Sequence, residues 1–498
     1  MFMRWALFMA CVLAASAAAQ VHPATPETEV VATVGPRTIL ARDVLERIEL
    51  MPWPGKDRPA LRDSVALQAT LSLVAEKLLA LQATAMGIGL DETIAARFAS
   101  LERALARDEL FRQEINGRVS LPDDEAVLAV RRFGIQLRLA VFAVRNEQDA
   151  RLLASVVTEP TGPPVARAQR AAIVRQDTVT ISFGELAPAH EDVAYGLSRH
   201  LEARPSFTRS SGWLVLQLLG RRANPAAGKL SSTDRTRAAE NLLRKRKQAD
   251  LTAAYYDRFA GGMPTRMDSV LFHAVADSLL ALMHTDVEAH RKGRAFGVLE
   301  GDVHQLSRMF RGLRHRPFVT HGSDTVMLGQ IIEGMVFHPI QVRSLGARIF
   351  MEDFNRATIV VAESEMISGR ALQQHFNDHP DVRRDLSTWM EAWQTQELVR
   401  KHLEAEAARS LGAAGGPGPR QPPDTVSQRD ALNSLIGELA TRFGVAIDFT
   451  KVQQLDFTPF NIVTRRMIGF GGTLPAVPLL PHLWEWYNLW NREPRVQP

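Results

Sequence analysis

What the chain lacks narrows its identity first. Of its 498 residues one is cysteine, Cys11, and it falls within the first nineteen. With those removed, no disulfide, thiol nucleophile or cysteine-ligated metal is open to the remainder. A charge surplus is missing as well: 59 lysines and arginines face 55 acidic residues, a formal net charge of +4. The sequence pI of about 9.4 reflects that narrow excess, and no nucleic-acid partner is expected from it. Beyond the N-terminal segment no apolar run reaches the roughly 18 residues that cross a bilayer, so no transmembrane segment is expected in the mature chain. There is also no Walker loop, dinucleotide-binding glycine motif, nucleophile elbow or zincin helix, and no cofactor is implied.

What is present describes a chain that folds. Hydrophobic residues make up 46% and charged residues 23%, ordinary values for globular domains, and the length calls for two or three of them. Met1 to Ala19 reads as a cleavable secretory signal. Arg4 supplies the positive start, Trp5 to Ala14 the apolar stretch, and Ala17, Ala18 and Ala19 the small-residue cleavage site. The expected address is the periplasm. Val30 to Val34, a turn at Gly35 and Pro36, then Ile39 and Leu40 read as a short hairpin running into a helix near Arg42. A long helix is predicted over Leu61 to Met86, because Leu67, Leu71, Val74, Leu78, Leu81 and Ala85 form one apolar stripe. Gly87 and Gly89 end it, and Asp91 caps a second helix in which Ile94, Phe98, Leu101 and Leu105 repeat the stripe.

Leu137 to Arg222 carries the most informative pattern. Leu137, Leu139, Val141 and Val144 mark a half-buried strand. Ala150, Leu153, Ala154 and Val157 mark a helix over Glu147 to Val157, stopped by Pro160, Gly162, Pro163 and Pro164. A strand at Thr178 to Phe183, a helix at Glu185 to Leu201, a short strand at Pro205 to Thr208, a Ser210 to Gly212 turn and a strand at Trp213 to Leu219 complete the run.

That order, with Tyr195, Gly196, Leu197, then Pro205, Ser206, Phe207, Thr208, then Gly212, Trp213, Leu214, Val215, Leu216 and Gln217, resembles the parvulin-type (PpiC) peptidyl-prolyl isomerases. It is similar in particular to their use as modules of SurA-like and PrsA-like secretory chaperones. SurA-like chaperones also begin with a V-x-G-x-x-I-T hairpin and a helix, and Val34, Gly35, Ile39 and Leu40 occupy comparable places. The resemblance implies a small α+β domain and a substrate-binding surface drawn from Phe183, Phe207, Thr208 and Trp213. The chain departs from the family where chemistry would sit. Isomerising parvulins usually place one His on the first strand and another after the Gly-aromatic pair; Arg138, Leu139 and Ala140 occupy the first place and Leu214 the second. The family's double-glycine motif is reduced to Phe183, Gly184, Glu185 and Leu186. The rotation barrier at an X-Pro bond is roughly 18 to 20 kcal/mol, and lowering it takes placed polar groups in a shaped cradle. No catalytic residue is therefore assigned.

Ala223 to Gly228 reads as a linker into a basic helix, Ser232 to Phe259. Its cations Arg235, Arg237, Arg244, Lys245, Arg246 and Lys247 are interrupted by Asp234, Glu240, Asp250 and Asp257, the pattern of a solvated face. Val298 to Phe310 echoes Val34 to Val44, which suggests a second copy of the N-terminal plan about 265 residues on. Asp324 to Phe354 then parallels the first long helix, with a break at Pro339. Glu363 to Leu411 is helical. His375 and His379 could hold a metal from one helix face, but no third ligand accompanies them and no metal site is expected. Ala413 to Asp424 is a flexible linker. The tail brings a helix from Ser427, a strand near Val445 to Phe449, and an aromatic end where Trp484 and Trp486 either anchor the tail or occupy the protein's own binding groove.

The expected division is a signal at 1–19, a SurA-like helical domain at 30–136, a parvulin-like domain at 137–222, linking helices at 232–294, a second helical unit at 295–411, a linker at 412–426 and a tail at 427–498. The fold class is mainly α with a small α+β parvulin-like domain, the helical unit recurring in the C-terminal half. The expected function is a periplasmic folding chaperone that binds unfolded or nascent outer-membrane and secreted polypeptides. The alternative is an active peptidyl-prolyl isomerase with a non-standard site.

Overall fold

The computed structural model describes residues 26–158, 173–208, 211–260, 265–413 and 425–491. The segment read as a secretory signal, the expected proline stop after the first module helix, Ser210 and most of the expected glycine-proline linker lie outside the described residues. The chain opens with the hairpin β1 (Val30–Val34) and β2 (Arg37–Leu40), which runs into α1 (Ala41–Leu50), α2 (Arg62–Ala85) and α3 (Glu92–Glu114). Next come α4 (Asp123–Phe133), β3 (Ile135–Val144), α5 (Glu147–Thr158), β4 (Ile173–Ile181), α6 (Pro188–Gly196), β5 (Ala203–Thr208), β6 (Gly212–Ala223) and α7 (Ser232–Ala260). Then follow β7 (Thr265–Met267), α8 (Ser269–Thr285), β8 (Arg291–Lys292), β9 (Ala295–Gly297), α9 (Glu300–Met309), β10 (Pro317–His321), β11 (Asp324–Met327) and α10 (Leu328–Gly334). The rest comprises β12 (Gln341–Val342), α11 (Ala347–Gln373), α12 (Pro380–Ala413), α13 (Thr425–Phe443), β13 (Val445–Ile447), α14 (Phe449–Gln453), β14 (Arg465–Met467), β15 (Thr473–Pro475) and α15 (Trp486–Trp490). The protein is mainly helical with small antiparallel sheets.

Two compact units result, one of residues up to Leu110 together with those from Pro264 on, the other Phe111–Met263. The first is discontinuous, where the sequence suggested domains strung in order. The reason lies in pairing and packing between distant segments. β1 pairs antiparallel with β13, Ala32 facing Ile447, and the core around Val34, Ile48, Val74 and Leu78 is completed by Ile436, Leu439 and Trp486. The Trp486 indole N–H donates to the Leu71 carbonyl at 3.3 Å. The aromatic tail is thus an anchor on the helical body. Pro59–Ala85 is, by length and composition, apolar enough to cross a bilayer, contrary to the expectation of no such run; 72% of its apolar 18-residue stretch is buried inside the protein.

Other expectations shift locally. The predicted helix Glu185 to Leu201 shrinks to α6, because Pro188 occupies its first turn and the Glu185 carboxylate instead accepts the Ser182 N–H at 2.8 Å. Val298 to Phe310 is mostly the helix α9. Asp324 to Phe354 is not one kinked helix but β11, α10, β12 and the start of α11. The predicted helix Glu363 to Leu411 is interrupted where His375 takes φ of 61° before Pro380 starts α12. His375 is exposed beside Asp378, and His379 lies 3.5 Å from Glu109.

A second hairpin and helix, β10–β11–α10, matches β1–β2–α1 at a constant offset. Val34 pairs with Arg37 and His321 with Asp324; each ladder slips by one residue at its far end, between Val30 and Ala32 and between Pro317 and Val319. Gly35 and Gly322 turn the hairpins at φ of 53° and 58°, where an L side chain would be strained. The Leu40 N–H donates to Asp43 and the Met327 N–H to Gln330, the same helix-start contact. Over 24 consecutive residues, 30–53 against 317–340, burial agrees at all positions but three, Glu46 against Glu333, Glu49 against Val336 and Leu50 against Phe337.

Candidate functional site

Unit Phe111–Met263 holds a four-stranded antiparallel sheet in the order β4-β3-β6-β5. Alternation along β3 divides its side chains between two faces. Ala140, Phe142 and Val144 pack with Ala150, Leu153 and Val157 of α5, and Trp213 and Val215 join them. Leu137, Leu139 and Val141 pack on the other face with Ala194 of α6, together with Leu214, Leu216 and Leu218. Of Arg138, Leu139 and Ala140, the stretch where the resemblance would place the first imidazole, Leu139 shares the α6 face with Leu214, the place of the second, and both are aliphatic.

One histidine does reach that face. His190 of α6 is 2% exposed, its Nδ1 2.7 Å from the Ser206 Oγ and its Nε2 3.3 Å from the Thr208 Oγ1. Ser206 donates its own proton to the Ala189 carbonyl, so its oxygen accepts from Nδ1–H, and Nε2 is left to accept from Thr208. Thr208 in turn accepts the Ser211 N–H at 3.1 Å, tying the β5–β6 turn into the chain of bonds. Burial lowers the His190 imidazole below its ordinary value, in keeping with this neutral tautomer.

The four residues proposed from sequence fall in three places. Phe207 and Trp213 face each other across β5 and β6 with ring centroids 5.0 Å apart, and Phe207 is 48% exposed. Thr208, next along the strand, points to the α6 face. Phe183 is 4% exposed, packed with Ala129 of α4 and Ala239 of α7, with the Arg246 guanidinium 5.2 Å above its ring. Arg246 also pairs with Glu191 of α6, and Lys247 pairs with Glu125 of α4, so two cations of the basic helix bind within this unit. Burial raises the Glu191 carboxyl, and Arg246 opposes it. His190 and Ser206 were not singled out by sequence. Strand alternation was the available signal for Ser206, since residues 206 and 208 must share a face. Among the described residues no group of three or more His, Cys, Asp or Glu side chains is placed to hold a metal ion.

No family model matches the chain, and no curated protein matches it. Among solved structures, a peptidylprolyl isomerase (PrsA) from Bacillus cereus is similar at 13% identity, covering 46% of this chain and 93% of that one, with a TM-score of 0.15. The foldase protein PrsA from Streptococcus pneumoniae is similar at 15% identity, covering 45% and 93%, with a TM-score of 0.18.

Proposed function

We propose that this chain is an exported folding factor that holds unfolded outer-membrane or secreted polypeptides, with unit Phe111–Met263 a parvulin-like module kept for binding. One observation carries the reading. The sheet order β4-β3-β6-β5, with α5 and α6 on its two faces, is the small α+β arrangement expected from the resemblance, yet Leu139 and Leu214 occupy the α6 face and its histidine is already held by two hydroxyls. That face is core sealed by α6, and without free polar groups it gives nothing to polarise a prolyl amide. The exposed Phe207 ring, set beside the half-buried Trp213, offers the apolar contact for a client. The matching hairpin–helix units support a helical body built twice on one plan. Clients are held by several weak contacts, without nucleotide.

The test measures two activities of the mature chain. Suppression of aggregation of a denatured outer-membrane protein, with no acceleration of cis–trans exchange in a proline tetrapeptide, is the expected result. Acceleration lost in Phe207→Ala would replace this reading with an isomerase. Absence of both activities would end it.

A further inference from the structure

Glu46 is the position at which the two matching hairpin–helix units differ most in burial, exposed in the first and buried in the second. At its counterpart, Glu333 is 5% exposed because α9 lies over α10, and the Ser307 hydroxyl donates to the Glu333 carboxylate at 2.5 Å. Among the described residues no helix covers Glu46 of α1 in that way. The Glu46 side chain is 46% exposed, and its nearest cation, Arg384 of α12, stands 3.6 Å away, beyond hydrogen-bond reach.

A cleft of about 250 Å³ opens there, lined by Leu40, Leu73, Ser387 and the polar groups of Arg42, Glu46 and Arg384. Among the described residues these groups meet one another and their acidic neighbours only at ion-pair distance. Arg42 Nε has no hydrogen-bond partner and its closest carboxylate, Asp43, is 3.9 Å off. Arg384 has contacts of 3.5 and 3.6 Å to Asp385 and Glu46. In the second unit Gly329 replaces Arg42, and a Cβ there would lie 3.1 Å from the Arg314 carbonyl oxygen, so that site is closed as well as satisfied. β2, which also borders the cleft, is the outer strand of its sheet and leaves backbone groups without a strand partner.

We infer that the cleft over α1 is a docking site for a segment of another polypeptide, which seats on α1 as α9 seats on α10, giving a carboxylate to Arg42 and Arg384 and a hydroxyl or amide donor to Glu46. Planar guanidinium forks match a carboxylate in geometry. The second unit shows that the covering group is polypeptide: an in-chain helix there supplies the donor. That the segment comes from an unfolded client rests on the folding-factor reading above.

The experiment titrates labelled apolar dodecapeptides, each with two serines, into the mature chain. One carries a glutamate and an amidated end, one a lysine in its place, and one only a free α-carboxylate. Arg42→Glu is expected to weaken the glutamate peptide about tenfold, the loss of one charge-assisted contact and the gain of a repulsion. The same variant should tighten the lysine peptide. Ser387→Trp, which fills the cleft, should weaken all three, and unchanged thermal unfolding shows that the variants fold; Arg42→Gln replaces Arg42→Glu if it does not. Binding of only the free-ended peptide supports the proposal with the chain end as the source of the carboxylate. Equal affinity across wild type and variants, or no peptide binding at all, overturns it. Aggregation suppression measured on the same samples separates the two readings: suppression that persists in both variants discards the cleft and leaves the folding factor, and absence of suppression discards the latter on its own evidence.

Discussion

The two hairpin–helix units solve one problem with different neighbours. Both close a two-residue turn with a left-handed glycine, both start a helix with an N3 side chain on the last strand residue, and both press that helix against a long one. Where α1 carries Arg47, α10 carries Gly334. Arg47 makes two short bonds, 2.8 and 2.7 Å, to Glu76 of α2, and both side chains are nearly fully buried. Gly334 lies against α11 instead, where an added Cβ would be 3.0 Å from the Val361 Cγ1 and 3.2 Å from the Glu365 Oε1. Glu365 then draws its cation from Arg103 of α3, at 2.6 Å. A buried carboxylate on the long helix thus persists in both units, while its partner comes from the adjoining hairpin in one and from a remote helix in the other. The plan fixes where charge is buried, and the surroundings decide who neutralises it.

The largest effect should come from breaking those pairs. Arg47→Met leaves Glu76 buried without its cation and is expected to cost about 3–5 kcal/mol in denaturant unfolding. Arg103→Met should cost a similar amount through Glu365, and the double change Arg47→Met with Glu76→Met should recover most of the loss. A near-zero cost for either single change would show that the pair is not what holds its helix.

A second contrast is a titration. Met51 follows α1, and its counterpart after α10 is His338. Burial, with the Arg107 charge beside it, holds the His338 imidazole at about 3 against an ordinary 6.5. The unfolded chain therefore binds this proton first as the pH falls. Its contribution is constant above 6.5, and stability drops by about 1.4 kcal/mol per pH unit between 6.5 and about 3. His338→Met should flatten that part of the profile. Equal slopes in variant and wild type would show that His338 protonates freely in the fold. A smaller effect is steric: Gly334→Ala should cost about 1–3 kcal/mol by overpacking against Val361, read as a lower denaturation midpoint.

How much of this could be read from sequence depends on range. The hairpin at Val30 was visible through Gly35, and the module Leu137 to Arg222 through its switches between periods of two and near four. The second hairpin was missed because His321 interrupts its apolar alternation, and because Asp324 to Phe354 was read as a helix broken at Pro339 where the chain first forms β11. The echo was therefore set on Val298 to Phe310 rather than on Pro317 to Gly334. No local pattern could join β1 to β13, or Trp486 to the Leu71 carbonyl, since both are contacts across hundreds of residues. The four proposed site residues lie apart for a simpler reason. Phe207 and Thr208 are neighbours on a strand and must face opposite ways, so they could not line one surface.

The smallest predicted effect separates the two helix starts by the charge of the residue that accepts the strand-end N–H. Asp43 accepts the Leu40 N–H at 2.9 Å, and Gln330 accepts the Met327 N–H at 2.8 Å. Both contacts satisfy the same backbone group, but only Asp43 adds a negative charge at the positive end of its helix, worth about 0.3–1 kcal/mol at low salt. Asp43→Asn keeps the acceptor and removes the charge, so it should cost that amount. Gln330→Glu keeps the contact and adds the charge, so it should gain a similar amount, and both changes should shrink in high salt. A loss of stability in Gln330→Glu would mean that the second unit chose an amide because its surroundings reject a carboxylate, and the likeness of the two starts would then end at geometry.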